Sequence, residues 1–366
     1  MIRQLKIIFS GGGTGGHLYP AVAVAKNLEK KHRCSLLFVG TKKGIESTVI
    51  PDLGYNLKHV WISGIARGRL FKNILFPLKM AVSFLQSTFI ILGFKPHAVI
   101  GTGGYASWPV LMAAYMMRIP VFLQEQNIKP GLVTKSMSSK ANTVYLSYAE
   151  TEKYISKKTR KIVTGNPTRD DLGKYDKKEA CRFLNLDPDK KTVFVFGGSQ
   201  GSLFINNLIK KCAGELSKKQ NLQILWATGP RWAEELRKDV KYSNIHIVPF
   251  IKNMAAAYGA CDLAVCRSGA TTIAELTRLG IPAVFIPFAR AADNHQQKNA
   301  ELLYQKGAAY MITEKEVVPG KLISLLDSIV NDPEKLKSMS EKSGNLGKPG
   351  AAGIIADDIL NVLKKR

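Results

Sequence analysis

Apolar residues in this chain come in short runs, separated by longer stretches with helical periodicity. In the first half the runs are Leu5–Phe9, Ser35–Val39, Ala98–Ile100, Val121–Leu123 and Thr143–Leu146. The early ones are apolar without clean alternation, the pattern of parallel strands covered by helices on both faces. Helices are predicted between the runs, over about 17–31, 72–92, 107–117 and 130–139. After a loop at GNPTRDD (165–171) the pattern restarts, with strands predicted at Thr192–Phe196, Ile224–Ala227, His246–Val248, Leu263–Val265 and Ala283–Ile286. A helix over 202–216 places Ile205, Leu208, Ile209, Cys212 and Leu216 on one face. The tail, KPGAAGIIADDILNVLKKR, reads as a loop and a final amphipathic helix. The fold class is therefore α/β: two Rossmann-like doubly wound domains in tandem, 1–163 and 164–346, followed by helix 347–366.

Charge adds a partner to this picture. Lys and Arg number 53 against 28 Asp and Glu, a net of +25. Residues 1–165 hold 23 of those cations and 6 of the acids, which puts +17 in the first domain. Such an excess points to an anionic partner: nucleic acid, an acidic membrane face or a phosphorylated substrate. Cys34, Cys181, Cys212, Cys261 and Cys266 are scattered, as reduced thiols would be, and no Cys/His cluster or H-E-x-x-H string marks a metal site. MIRQLKIIF leads straight into glycines and does not read as a signal peptide. The greasiest stretch, 80–94, is about 15 residues long and carries Ser83, Gln86, Ser87 and Thr88. A span needs about 20 apolar residues, so this is expected to be a helix that does not cross a membrane.

Candidate chemistry gathers on glycine loops. Each half opens strand, glycine loop, helix: IIFSGGGTGGH in one, VFVFGGSQGS in the other. Two more loops, IGTGGYAS (100–107) and CRSGATT (266–272), follow later strands. Glycine allows positive φ and close approach of a ligand, and the helix N-terminus beyond offers unpaired N–H groups to an anion. A nicotinamide site would need an acid at the end of the second strand, and LLFVGTKKG has none there, although Lys42 and Lys43 leave a 2′-phosphate open. No loop ends in Gly-Lys-Ser/Thr, which disfavours a Walker site. Two such domains facing a cleft suit a donor in one half and an acceptor in the other, the GT-B layout of nucleotide-sugar glycosyltransferases. These can act without a metal, because helix ends and backbone N–H groups stabilise the departing diphosphate.

The blocks GGTGGHLYPAVAVA (12–25), GTGGYASWP (101–109), EQNIKPG (125–131), GNPTR (165–169), GGSQGS (197–202), CRSGATTIAE (266–275) and DNHQQKNA (293–300) resemble the signatures of the MurG family, in order and spacing. These are the cytoplasmic N-acetylglucosaminyltransferases of peptidoglycan synthesis. The resemblance implies an inverting hexosyltransferase that moves GlcNAc from UDP-GlcNAc to the MurNAc 4-hydroxyl of lipid I, giving lipid II, with no cofactor. It implies that the first domain binds acceptor and membrane, that the final helix packs back on it, and that the second binds UDP-GlcNAc. Ser199 would touch the donor diphosphate, and Ala270, Thr271, Thr272, Ile273 and Ala274 would line the nucleotide. Glu275, one turn from Thr271, would accept from the ribose hydroxyls. Ile251 would meet the uracil, Arg169 would reach the nucleotide, and Gln296 (favoured over Gln297) would bind the sugar. Thr14, Gly15, Gly16 and Asn127 match donor contacts from the first domain, and Gly13, Gly103, Gly104 and Tyr105 would line the acceptor. His17 would be the base for the attacking hydroxyl, with Glu125 the rival. Two places depart from the family pattern. Gln124 stands where a histidine is common, and Lys129-Pro130 fill the segment between EQN and glycine.

In the basic, greasy segment 66–94, Arg67, Arg69, Lys72 and Lys79 surround Ile74, Leu75 and Phe76. Cations would meet anionic headgroups while the apolar residues enter the interface. Tyr115-Met116-Met117-Arg118 is a further candidate for that surface. The expected location is the cytoplasmic face of the cell membrane, as a peripheral protein beside other cell-wall synthesis enzymes. A related membrane glycosyltransferase with another glycolipid acceptor is the alternative. An NADP-dependent oxidoreductase has Glu275 and the duplicated loops against it. A nucleic-acid binder lacks interleaved aromatic and basic motifs, so nucleic acid is not an expected partner.

Overall fold

The structure is a computed structural model that describes residues 4–64, 74–291 and 294–365. It divides into two compact units, Met1–Arg169 with Pro349–Arg366, and Asp170–Lys348.

The first unit holds strands β1 (Leu5–Gly11), β2 (Cys34–Gly40), β3 (Asn56–His59), β4 (Ala98–Gly103), β5 (Val121–Glu125), β6 (Thr143–Leu146) and β7 (Arg160–Val163). Its helices are α1 (Gly15–Lys31), α2 (Glu46–Asp52), α3 (Phe76–Phe94), α4 (Ser107–Met116), α5 (Leu132–Met137) and, from the far end of the chain, α14 (Ala351–Lys364). The strands pair in parallel, in the order β3-β2-β1-β4-β5-β6-β7. Strand alternation divides the core. Leu5, Ile7 and Phe9 of β1 face Leu18, Val22 and Leu28 of α1 and Ile355, Ile359 and Leu363 of α14. Ile8, between them, faces the other way, with Val99, Val110, Leu111 and Ile91. Both faces are dry, so β1 needs no polar alternation. A polar staple backs α14: Asp358 accepts from Tyr145 Oη at 2.8 Å and from both terminal nitrogens of Arg160 at 2.7 and 2.6 Å.

The second unit repeats the architecture. Its strands are β8 (Lys191–Phe196), β9 (Leu222–Ala227), β10 (Ile245–Val248), β11 (Leu263–Cys266), β12 (Ala283–Phe285) and β13 (Ala309–Met311), in the parallel order β10-β9-β8-β11-β12-β13. Helices α6 (Lys177–Leu184), α7 (Leu203–Ser217), α8 (Ala233–Asp239), α9 (Met254–Ala260), α10 (Ala270–Arg278), α11 (His295–Gln305), α12 (Pro319–Val330) and α13 (Pro333–Asn345) cover it. The predicted face of α7 is buried, all five residues of it. In both sheets the order reverses beside the first strand, between β1 and β4 and between β8 and β11. Loops leaving those strands diverge to opposite faces and open a crevice at the strands' carboxyl ends.

Candidate active site

In the first unit the two glycine loops meet at the switch point. A Cβ on Gly103 (φ +95°) would lie 2.7 Å from His17 Nδ1, and one on Gly104 (φ +81°) would lie 2.5 Å from the Gly12 carbonyl oxygen. Only glycine lets the loops pack this closely. His17, on the first turn of α1, is half-buried against that junction. Its Nδ1 lies 2.9 Å from the Thr102 carbonyl oxygen, and Thr102 Oγ1 donates back to the His17 carbonyl at 2.7 Å. A carbonyl only accepts, so Nδ1 carries the proton and Nε2 holds the lone pair of the neutral ring. Tyr105 packs close to Gly13 and Gly64, and the Arg169 guanidinium stacks on the Tyr19 ring, 4.8 Å from its centroid. Both sit beside the loop of Thr14, Gly15 and Gly16.

A buried amide chain backs His17. The Thr102 carbonyl also accepts from Gln126 Nε2. Gln126 in turn donates to Gln124 Oε1 (2.8 Å), and Gln124 donates to Asn166 Oδ1 (3.1 Å). Gln124 thus joins the GNPTR block to the histidine's support. Glu125 is differently placed. Its side chain is buried, Oε1 accepts from the Asn127 amide and Oε2 from the Gly131 amide, both at 3.0 Å. Those bonds fold the 126–131 loop around the carboxylate, so Asn127 is held to Glu125.

In the second unit, Ser199 is exposed on the loop between β8 and α7. Helix α10 has Gly269 at its N-cap, with no side chain to cap it, and no acid in its first turn. Amides at Ala270, Thr271 and Thr272 therefore lack a carbonyl partner within the helix, the kind of end that suits an anion. Thr271 Oγ1 is enclosed and has no hydrogen-bond partner among the described residues. Glu275 is buried one turn on, where it accepts from Tyr258 Oη at 2.9 Å. Within 270–274, Ile273 turns away from that end: its side chain is in the core and its amide bonds the Gly269 carbonyl. Ile251 is also a core side chain, so it does not present its side chain to a ligand. Gln296 links loops, accepting from the Phe288 amide (3.0 Å) while its carbonyl accepts from Ser268 Oγ (2.8 Å); Gln297 bonds Glu301 on its own helix. Arg267, missed by sequence reasoning, ties the strand ends together. It donates to Ser202 Oγ, to the Ile286 and Pro287 carbonyls, and pairs with Glu314 at 2.5 Å. Burial lowers its pKa, and Glu314 opposes that.

Residues 7–146 match the glycosyltransferase family 28 N-terminal domain, and residues 192–354 match its C-terminal domain. A Prosthecochloris aestuarii protein named UDP-N-acetylglucosamine–N-acetylmuramyl-(pentapeptide) pyrophosphoryl-undecaprenol N-acetylglucosamine transferase is 41% identical, over 98% of this chain and 99% of its own. One of the same name from Flavobacterium psychrophilum is 38% identical over the whole of both chains. The crystal structure of Acinetobacter baumannii MurG superposes with a TM-score of 0.76 at 27% identity, covering 98% of this chain and 99% of that one.

The chain belongs to the MurG family. It is an N-acetylglucosamine transferase of glycosyltransferase family 28, with the two-domain α/β fold its sequence pattern predicts. Another residue of this MurG-family chain that sequence reasoning missed is Glu46. No acid stands at the end of β2, but Glu46 opens α2, buried, and accepts the Gly13 amide at 2.8 Å. The greasy segment forms a 19-residue helix, α3, of mean hydropathy 1.4 over its most apolar window, long and apolar enough by composition to cross a membrane. Ser83, Ser87 and Ile91 lay one stripe of it on the domain, while Leu78, Leu85, Phe89 and Leu92 are exposed on another. Ile74 and Leu75 extend that surface at 76% and 50% exposure, and Phe76 is half-buried. Lys79 donates to Ser63 Oγ at 3.0 Å; Lys72 lies outside the described residues. Tyr115 and Met116, at the end of the neighbouring α4, are exposed as well.

Proposed function

We propose that the chain transfers N-acetylglucosamine from UDP-N-acetylglucosamine to the 4-hydroxyl of the N-acetylmuramyl unit of lipid I, giving lipid II with inversion, and that His17 is the base. Full-length kinship with transferases of that name supports the reaction. The observation that carries the residue assignment is the hydrogen bond from His17 Nδ1 to the Thr102 carbonyl, which leaves Nε2 as the basic nitrogen at the lip of the loop. Nε2 takes the hydroxyl proton as the oxygen attacks the sugar's C1. The bond from C1 to the phosphate oxygen breaks, and its electron pair leaves on UDP. The uncapped start of α10, with Ser199 nearby in the same crevice of the second unit, suits that diphosphate, and Glu275 suits the ribose. Glu125 supports the 126–131 loop, since both its oxygens already hold backbone amides.

The membrane assignment rests on α3. A helix that lays one stripe on its own domain and exposes Leu78, Leu85, Phe89 and Leu92 suits a position in the plane of the interface, beside an acceptor with a polyprenyl tail. The basic excess of the first domain suits an anionic leaflet.

The test is transfer of radiolabelled N-acetylglucosamine to a short-chain lipid I analogue in EDTA, wild type beside His17→Ala. A general base contributes roughly 10²- to 10⁴-fold, so His17→Ala should lose at least about a hundredfold in rate and keep its affinity for UDP. A wild-type enzyme that binds UDP-N-acetylglucosamine but labels no lipid I analogue refutes the acceptor. A His17→Ala enzyme at wild-type rate refutes the base.

A further inference from the structure

We infer that Glu46 is a resident anion of the first glycine loop and a positioning residue for His17, an inference that rests on the role proposed for that histidine. In a dinucleotide-binding domain the amides of this loop receive a pyrophosphate. Here a carboxylate of the protein receives one of them. Glu46 Oε2 accepts the Gly13 N–H at 2.8 Å, and Oε1 accepts the Thr41 N–H at 2.8 Å and Thr41 Oγ1 at 3.0 Å. The side chain is 1% exposed.

The surrounding backbone is shaped to it. A Cβ on Gly12 or Gly40 would lie 2.5 Å from a Glu46 side-chain atom, and one on Gly44 would lie 2.0 Å from Oε2. Three glycines from three segments thus leave the space that the carboxylate fills. Gly13 itself has φ +84°, and the next residue, Thr14, gives its carbonyl to the amides of His17 and Leu18, the first bonds of α1. The path from carboxylate to base is short: Glu46, the Gly13 amide, the Thr14 carbonyl, the His17 amide. With Thr102 holding the ring from the opposite side, His17 is fixed at both its backbone and its imidazole. A second consequence is selectivity. A phosphate cannot take the Gly13 amide while a carboxylate occupies it, so at this point the loop is closed to the pyrophosphate that a dinucleotide-binding loop receives.

Glu46→Gln tests this with minimal change of shape. An amide presents one acceptor and one donor, so its NH2 must face either the Gly13 N–H or the Thr41 N–H. Displacement of a catalytic group by about 1 Å costs roughly a hundredfold. We expect kcat to fall about a hundredfold, KM for UDP-N-acetylglucosamine to stay within about twofold, and amide hydrogen exchange in a peptide spanning 11–17 to accelerate. A kcat less than tenfold below wild type, or unchanged exchange over 11–17, overturns the inference. If Glu46→Gln does not fold, Gly44→Ala carries the same two measurements, because its Cβ would lie 2.0 Å from the Oε2 that holds the Gly13 amide. Failure of the functional proposal is distinguishable: there His17→Ala keeps its rate or wild type transfers nothing, while the exchange measurement still reports on Glu46.

Discussion

Asp358 gives the sharpest stability prediction. It sits on the last helix and accepts three hydrogen bonds, one from the hydroxyl of the fully buried Tyr145 and two from Arg160. Asp358→Ala removes them all. A buried hydroxyl that loses a charged acceptor costs about 1.5–3 kcal/mol. The Arg160 side chain is 51% exposed, so its ion pair adds less than about 1 kcal/mol. The expected loss is about 1.5–4 kcal/mol, confined to the unit that holds α14. Two units need not melt together, so one global transition is the wrong assay. Hydrogen exchange at rising urea, read in peptides from β6 and α1 and compared with peptides from β8, separates them. Adding Tyr145→Phe should recover about 1–2 kcal/mol, because removing both partners is cheaper than orphaning one. Additive losses, or an Asp358→Ala protein whose first unit exchanges as wild type does, would refute the reasoning.

Gly103→Ala should abolish most transfer, by about a hundredfold or more, since its Cβ would meet the His17 ring at 2.7 Å; UDP binding by calorimetry should be unchanged. Replacing Leu85 and Phe89 together by Glu should reduce co-sedimentation with anionic vesicles at least tenfold, and should leave transfer to a short-chain soluble acceptor within about twofold. Burial pushes the Cys34 and Cys212 thiols up to about 11 and raises Cys181, Cys261 and Cys266 as well. A raised pKa keeps the reactive thiolate scarce until pH approaches it, so at pH 8 a chromogenic disulfide should label the native protein slowly and all five cysteines only in guanidinium.

Ten of the strands were legible because each is a dense apolar run, and the long helices because their apolar residues recur with helical period. What escaped was short or edge-placed. Strand β3, NLKH, and strand β7, RKIV, lie at the sheet's two margins with half-exposed residues and carry no apolar run. The glycine loops were legible as a class, since only strand-to-helix turns need that many glycines. Their interlocking was not: that Gly103 exists to make room for His17, or that Gly12, Gly40 and Gly44 surround Glu46, depends on segments up to about ninety residues apart. Glu125 shows the converse, where a block of sequence marks a residue for the site and the fold spends its carboxylate on two backbone amides.

The last helix has a consequence for how the protein is made. Ile355, Ile359 and Leu363 complete a core begun by Ile7, Phe9 and Leu18. The first unit therefore cannot close until almost the entire chain has left the ribosome. At roughly 5–20 residues per second, the nascent sheet waits about ten to forty seconds after residue 169 with one apolar face of β1 and α1 uncovered. Meanwhile residues 170–348, whose contacts are their own, are free to fold. Translation would thus yield the second unit first and the unit that carries His17 last. A stalled or truncated chain would then present a folded second unit beside an unfinished first one, and an apolar surface for chaperones and proteases to find.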